Sequence, residues 1–156
     1  MIIEKSCTHK DGFEINVNRY TEFNLTDIHK SLTKDGYSAP FAIRDTVEIT
    51  GNPEVIEVSS FIRKKSDKGG GNEILSSFCK MYGDEKIILL LASPLVGAME
   101  EHSEAYNEGT RKELLLAIGK LTRYYESVGF KNVNDIMDCE YGNAMIFMNS
   151  AGKRYF

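Results

Sequence analysis

Over 156 residues, 19 Lys and Arg stand against 23 Asp and Glu, a formal charge of −4 with neutral histidines. With 42% hydrophobic and 27% charged residues, the composition is that of an ordinary globular protein and excludes collagen-like, coiled-coil and disordered chains. One domain over residues 1–156 is expected, burying roughly 68–70% of its unfolded surface, enough for a core without metals or disulfides.

The longest apolar run is the six residues from Ile87 to Ala92, where a membrane-spanning helix needs about 20. Met1-Ile2-Ile3 ahead of Glu4-Lys5 is too short for a signal peptide. A cytoplasmic protein without a membrane partner is therefore expected. Cys7, Cys79 and Cys139 are odd in number and far apart, with no C-x-x-C pair, and read as reduced thiols. The acidic balance argues against a nucleic-acid partner, which needs cationic charge in excess of the chain's own acids. Two local basic clusters remain, over residues 63–68 and at Lys153-Arg154.

In chain order, Phe13 to Arg19 alternates apolar and polar residues as a half-buried strand does, and Asn24 to Lys34 reads as a short helix capped by Asn24 or Thr26. Gly36 to Pro40 is turn chemistry; Phe41 to Thr50 reads as a strand closed by Gly51-Asn52-Pro53. Val55 to Ile62 is strand-like, with Val55, Glu57, Ser59 and Phe61 expected on one face and Ile56, Val58, Ser60 and Ile62 on the other. After three glycines, Ile74, Leu75, Phe78, Cys79 and Tyr82 recur at the spacing of an amphipathic helix that stops at Gly83-Asp84. Ile87 to Ala92, continuously apolar, predicts a strand buried on both faces, as in a parallel pairing. Pro94 to Thr110 reads as a long connection. Leu114, Leu115, Ile118, Leu121, Tyr125 and Val128 then form the apolar stripe of a helix ended by Gly129. Short strands are expected at Phe130 to Val133 and Ala144 to Met148.

The Gly69-Gly70-Gly71 corner lies between a strand and a helix start. Its freed backbone amides and the positive end of the helix dipole can hold a pyrophosphate, with Arg63, Lys64, Lys65 and Lys68 beside it; the plainer reading is a solvent-facing turn. A P-loop is excluded because no Gly-Lys-Ser/Thr follows, and a dinucleotide fingerprint fits poorly because Ile74 stands where a glycine is required.

The strand Val55 to Arg63, the basic glycine turn, the amphipathic helix, the apolar strand and the later Tyr125-Glu126-Ser127-Val128-Gly129-Phe130 ending resemble the GNAT N-acetyltransferases. The resemblance runs from Val55 to Met148, about 60% of the chain. It implies a mixed α/β fold with a central, mostly antiparallel sheet, one splayed parallel strand pair at its middle and helices on both faces. It further implies acetyl-CoA as cofactor, contacted by Phe61, Ile62, Arg63, Lys68, Gly69, Gly70, Gly71 and Asn72. Two positions depart from the family pattern: Ser66 replaces the Gln or Arg that usually opens the turn, and Ile118 replaces an asparagine that often touches the cofactor.

The implied reaction is acetyl transfer to a primary amine, which needs a neutral amine, a held carbonyl and a proton for the departing thiolate. Tyr125 is the expected general acid, with Tyr124 competing for the role; the plain reading makes Tyr125 a core aromatic. Glu57 is the expected base, with Glu48, Glu101 and His102 as alternatives, and a solvated strand residue as the plain reading. His9, His29 and His102 are scattered without metal-ligand spacing, so they read as surface residues and no metal is expected. A second reading is a catalytically silent domain that binds a protein partner or serves as a structural component. A third, acyl transfer on RNA or aminoacyl-tRNA, requires a basic surface that the net charge does not promise. The acceptor, small molecule or protein, is not legible, and a homodimer is left open.

Overall fold

Phe13, Ile15 and Val17 alternate with Glu14, Asn16 and Asn18, and the strand they form is the second of a six-stranded sheet. The computed structural model describes residues 4–21, 53–63, 70–93, 108–133 and 142–156. The elements are β1 (Glu4–Lys10), β2 (Phe13–Tyr20), β3 (Val55–Arg63), α1 (Gly71–Lys80), β4 (Ile87–Ala92), α2 (Glu108–Val128), β5 (Phe130–Asn132), β6 (Asn143–Phe147) and α3 (Ser150–Tyr155). The expected helix over 24–34, the turn at 36–40 and the strand over 41–50 lie outside the described residues, as do Ser66, Lys68, Gly69 and Cys139.

The strand order is β1-β2-β3-β4-β6-β5. Only β3 and β4 run parallel among the described strands, joined through α1; the other four neighbouring pairs are antiparallel. The fold is thus mixed, helices and strands around a largely antiparallel sheet, with the parallel pair at its middle. β4 is buried on both faces, as its apolar run requires. Ile88, Leu90 and Ala92 join one core with α1, while Ile87 and Leu89 join a second.

Leu75, Phe78 and Cys79 of α1 and Val128 of α2 pack in the first core against Ile15, Val17, Ile56, Val58, Met145 and Phe147. Ala151 of α3 packs in the second with Tyr20, Val55, Val133, Ala144 and Ile146. Helices therefore cover both faces. Each fully buried aliphatic or aromatic side chain contributes about 1.5–3 kcal/mol relative to exposure. On α2 the stripe is narrower than expected: Leu114, Ile118 and Val128 are buried, whereas Leu115 is 55% exposed beside an exposed Leu116. The helix also begins earlier, at Glu108, and takes the end of the expected connection.

Two elements carry no apolar signature. β1 is polar and exposed, an edge strand folded back on β2 through Asp11-Gly12, both at positive φ (48° and 85°), the two-residue turn whose twist matches a hairpin. α3 is a short helix capped by Asn149, whose side chain accepts from the Gly152 amide at 2.8 Å.

Candidate functional site

Position 59 of β3 decides the geometry of the sheet's centre. Val17 pairs with Val58 and Asn16 with Ser60, so Ser59 is an extra residue, a β-bulge. A bulge reverses the facing of everything beyond it. Phe61 consequently packs with the core that holds Ile56 and Val58, and stacks on Phe13 at 4.8 Å with rings 7° from parallel. This corrects the alternation read from the sequence, which put Phe61 on the face of Glu57 and Ser60 on the face of Val58; Asn16, on the polar face of β2, instead donates to the Ser60 hydroxyl at 2.7 Å.

At the same place the parallel strands part. Their register runs from Val55 opposite Ile87 to Val58 opposite Leu90 and stops, while β3 continues to Arg63 paired with β2 and β4 continues to Ala92 paired with β6. A cavity of about 190 Å³ opens between them, lined by Val58, Phe61, Ile62, Leu90, Ser93, Leu121 and Tyr125 among others. The C-terminal end of parallel strands is where open α/β sheets receive ligands.

Tyr125 reaches this cavity from α2. Its ring meets Tyr124 and Phe130 edge to face at 5.3 and 6.0 Å, and burial, followed by the neighbouring Tyr124, pushes its hydroxyl up to about 12. The phenol is therefore neutral at physiological pH and available as a proton or hydrogen-bond donor.

Gly70 and Gly71 form the start of α1 as the sequence predicts. Gly70 adopts a left-handed conformation, φ 81°, and Gly71 is the first helical residue and buried. A side chain at Gly71 has no room, since a Cβ there would meet the Tyr124 hydroxyl at 2.5 Å and the Phe13 ring at 3.3 Å. Burial raises the Tyr124 hydroxyl above its ordinary value, opposed by the charge of Arg63. The Arg63 guanidinium lies over the Phe13 ring at 4.9 Å, a cation–π contact. Phe13 thus carries Arg63 and reaches the start of α1 with the tip of its ring, which brings one cation and the positive end of a helix dipole to the same corner. Asn72 points elsewhere: it is exposed and donates to the Ser127 hydroxyl at 3.4 Å, tying the first turn of α1 to the end of α2.

Glu57 is 1% exposed, which overturns the solvated-residue reading. Its Oε1 accepts from the Asn18 amide and the Tyr20 hydroxyl, both at 2.9 Å. These donors make burial tolerable for a carboxyl group that would otherwise cost several kcal/mol. Glu57 itself does not line the cavity between the parted strands, although Val58, the next residue, does.

Of the residues singled out from the sequence, the structure gathers Phe61, Ile62 and Tyr125 around the cavity and Arg63, Gly70 and Gly71 at its glycine corner. It holds Glu57 on the other face of β3. Lys68 and Gly69, with the alternative bases Glu48, Glu101 and His102, lie outside the described residues. Sequence reasoning missed Phe13 as the platform under Arg63, Asn18 and Tyr20 as the donors to Glu57, and Leu121 and Ser93 as cavity walls. Asn18 lies in the strand read from the sequence and Tyr20 one residue past its expected end, a spacing that puts the two on one face but gives no sign that a carboxylate lies opposite. Among the described residues no helix is long and apolar enough to cross a membrane. No family model matches the chain, and no curated protein and no solved structure matches it.

Proposed function

We propose that the chain is an N-acetyltransferase of the GNAT type, which moves an acetyl group from acetyl-CoA to a primary amine. One observation carries the reading: a tyrosine with its hydroxyl pushed up to about 12 lines a cavity at the point where two parallel strands part. The order of the sheet, the parting beyond Val58 and Leu90, and the glycine start of α1 support it.

The residues suit such a cofactor. Beyond Val58 no described strand pairs with the edge of β3 that faces β4, an edge that suits an extended pantetheine arm, while Arg63 with the amides at Gly70 and Gly71 suits a diphosphate. Lys68 and Gly69 complete the proposed contact set, and Asn72, turned to Ser127, is left out of it. When bound, the thioester supplies an activated acyl carbon and a thiolate leaving group. Tyr125 donates to the sulfur as its charge develops. A phenol near 12 does not surrender its proton outright to a thiolate whose acid titrates near 8.5. The contribution is therefore greatest in the transition state, where the hydrogen bond meets partial charge. Glu57 takes the proton lost by the amine, held in position by Asn18 and Tyr20. Because it does not line the cavity, that proton reaches it through an intervening hydroxyl or water.

Acetyl-CoA is expected to bind in isothermal titration, and Tyr125→Phe to lower amine-dependent thiol release by about 10²-fold or more while changing acetyl-CoA affinity much less. No heat at millimolar acetyl-CoA removes the cofactor claim; unchanged turnover moves the donor role to Tyr124 or water. A second reading, a silent domain with a protein-binding or structural role, draws on Ile118, 6% exposed and packed inward where the family often keeps a cofactor-touching asparagine, and on the enclosure of Glu57. Absence of thiol release across a broad amine panel, with the fold intact, selects it.

A further inference from the structure

At the β1 edge of the sheet, we propose, Cys7, His9 and Glu14 form a binding site for a borderline divalent cation such as Zn²⁺, independent of the cleft and clasping the β1–β2 hairpin. Cys7 and His9 are two residues apart on β1, so their side chains leave the same face, and Glu14 is the direct cross-strand partner of His9. The hairpin turn at Asp11-Gly12 fixes that register. His9, without ligand partners in the sequence spacing, thus acquires them through pairing, with Cys-x-His supplied by one strand and a carboxylate by its neighbour.

The three ligand atoms converge closely enough for one ion to take the place of the contacts they make with one another. Cys7 Sγ lies 3.7 Å from His9 Nε2 and 3.7 Å from Glu14 Oε1, and the His9 and Glu14 atoms are 3.9 Å apart. Without an ion, the Cys7 thiol donates to the Glu14 carboxylate, and His9 pairs with the same oxygen at the longer distance. Ligands at the bond lengths of tetrahedral zinc are about 3.4–3.6 Å from one another. The nearest point equidistant from the corners of the observed triangle lies about 2.2 Å from each and in their plane, so tetrahedral zinc, with bonds of roughly 2.0–2.3 Å, draws the three exposed side chains together by about 0.2–0.5 Å. A thiolate, an imidazole and a carboxylate select a zinc-like ion over calcium or magnesium, which take oxygen alone. The thiolate and carboxylate together neutralise its charge. The imidazole is 70% exposed, so the fourth position faces solvent and takes water.

Substitution of Co²⁺ for Zn²⁺ reads the site directly. Titration of the full chain with Co²⁺ should reach a stoichiometry of about one and develop a sulfur-to-cobalt charge-transfer band, which Zn²⁺ then displaces. Cys7→Ser should abolish the band; His9→Ala and Glu14→Gln should weaken affinity by about tenfold or more. Cys139→Ser should leave it unchanged. Zn²⁺ should also slow alkylation of Cys7 and raise the melting temperature of the unaltered chain but not of Cys7→Ser. No thiolate band, a band that persists in Cys7→Ser, or equal zinc affinity in the unaltered chain and the His9→Ala and Glu14→Gln variants overturns the proposal. The substituted side chains belong to an exposed hairpin edge, and circular dichroism of each variant checks that the fold is retained.

Discussion

At the scale of single residues, the start of α1 depends on the absence of one side chain. Gly71 lets the Tyr124 hydroxyl and the Phe13 ring close onto the helix N-terminus, and Phe13 in turn carries Arg63 and stacks on Phe61. Gly71→Ala would place a methyl group 2.5 Å from the hydroxyl and 3.3 Å from the ring. The tyrosine cannot withdraw freely because its ring is packed against Tyr125. The substitution is expected to destabilise by about 1–3 kcal/mol, as overpacking does, despite alanine's better helix propensity. Adding Tyr124→Phe removes the oxygen and should restore part of the loss, a coupling of about 0.5 kcal/mol or more in a urea-denaturation double-mutant cycle. Strict additivity would mean that the clash is relieved by backbone movement instead.

Among the elements, α3 is held by the buried Ala151, whose amide donates to the Asp84 carbonyl at 2.8 Å, and by the side chain of Asn149. Asn149 is 8% exposed; its Oδ1 accepts from Gly152, and its Nδ2 donates to the carbonyls of Lys86 at 2.8 Å and Gly83 at 3.3 Å. One residue therefore caps α3 and satisfies two carbonyls in the segment that leads from α1 into β4. Asn149→Ala loses the cap and leaves those carbonyls without that donor, at a cost of about 2–4 kcal/mol. Asn149→Asp keeps the cap but turns a carboxylate toward the two carbonyls, so it should fall well short of the parent in thermal stability. Recovery to the parent's melting temperature would show that the cap alone matters.

Over the whole molecule, two buried acids set an alkaline limit. Burial pushes the Cys79 thiol up to about 12 from 9.0, and burial, with Tyr124 adding to it, pushes the Tyr125 hydroxyl up to about 12 from 10.0. In both, the native state keeps its proton to higher pH than the unfolded chain. Below about pH 8 neither group makes stability depend on pH. As pH rises from about 9 toward 12, the unfolded chain ionises first and stability falls. Every tenfold difference in proton affinity between the folded and unfolded chain is worth about 1.4 kcal/mol. Chemical denaturation at stepped pH should show a decline that begins earlier in the parent than in Cys79→Ala, and that is shallower above pH 10 in Tyr125→Phe than in the parent. Superimposable limbs in parent and Cys79→Ala would refute this origin.

Local chemistry made much of the frame legible. An uninterrupted apolar hexamer can satisfy both faces only at the middle of a sheet, and β4 lies there with the parallel partner its pattern implies. The glycine corner and the spacing of Tyr125 on its helix were likewise readable, because turn and helix geometry act over a few residues. The polar edge strand β1 offered only its Asp-Gly turn, and α3 only its capping asparagine. Steps of three and four residues admit both Leu114 and Leu115, and only packing leaves one of them in water. The bulge at Ser59, which turns Phe61 toward the core, exists through pairing with a strand about 40 residues upstream. The donors to Glu57 come from 37 and 39 residues away, and Cys7 and His9 meet Glu14 across a hairpin. Periodicity records which side chains share a face within one strand; which strand lies opposite, and in what register, is a property of the assembled sheet alone.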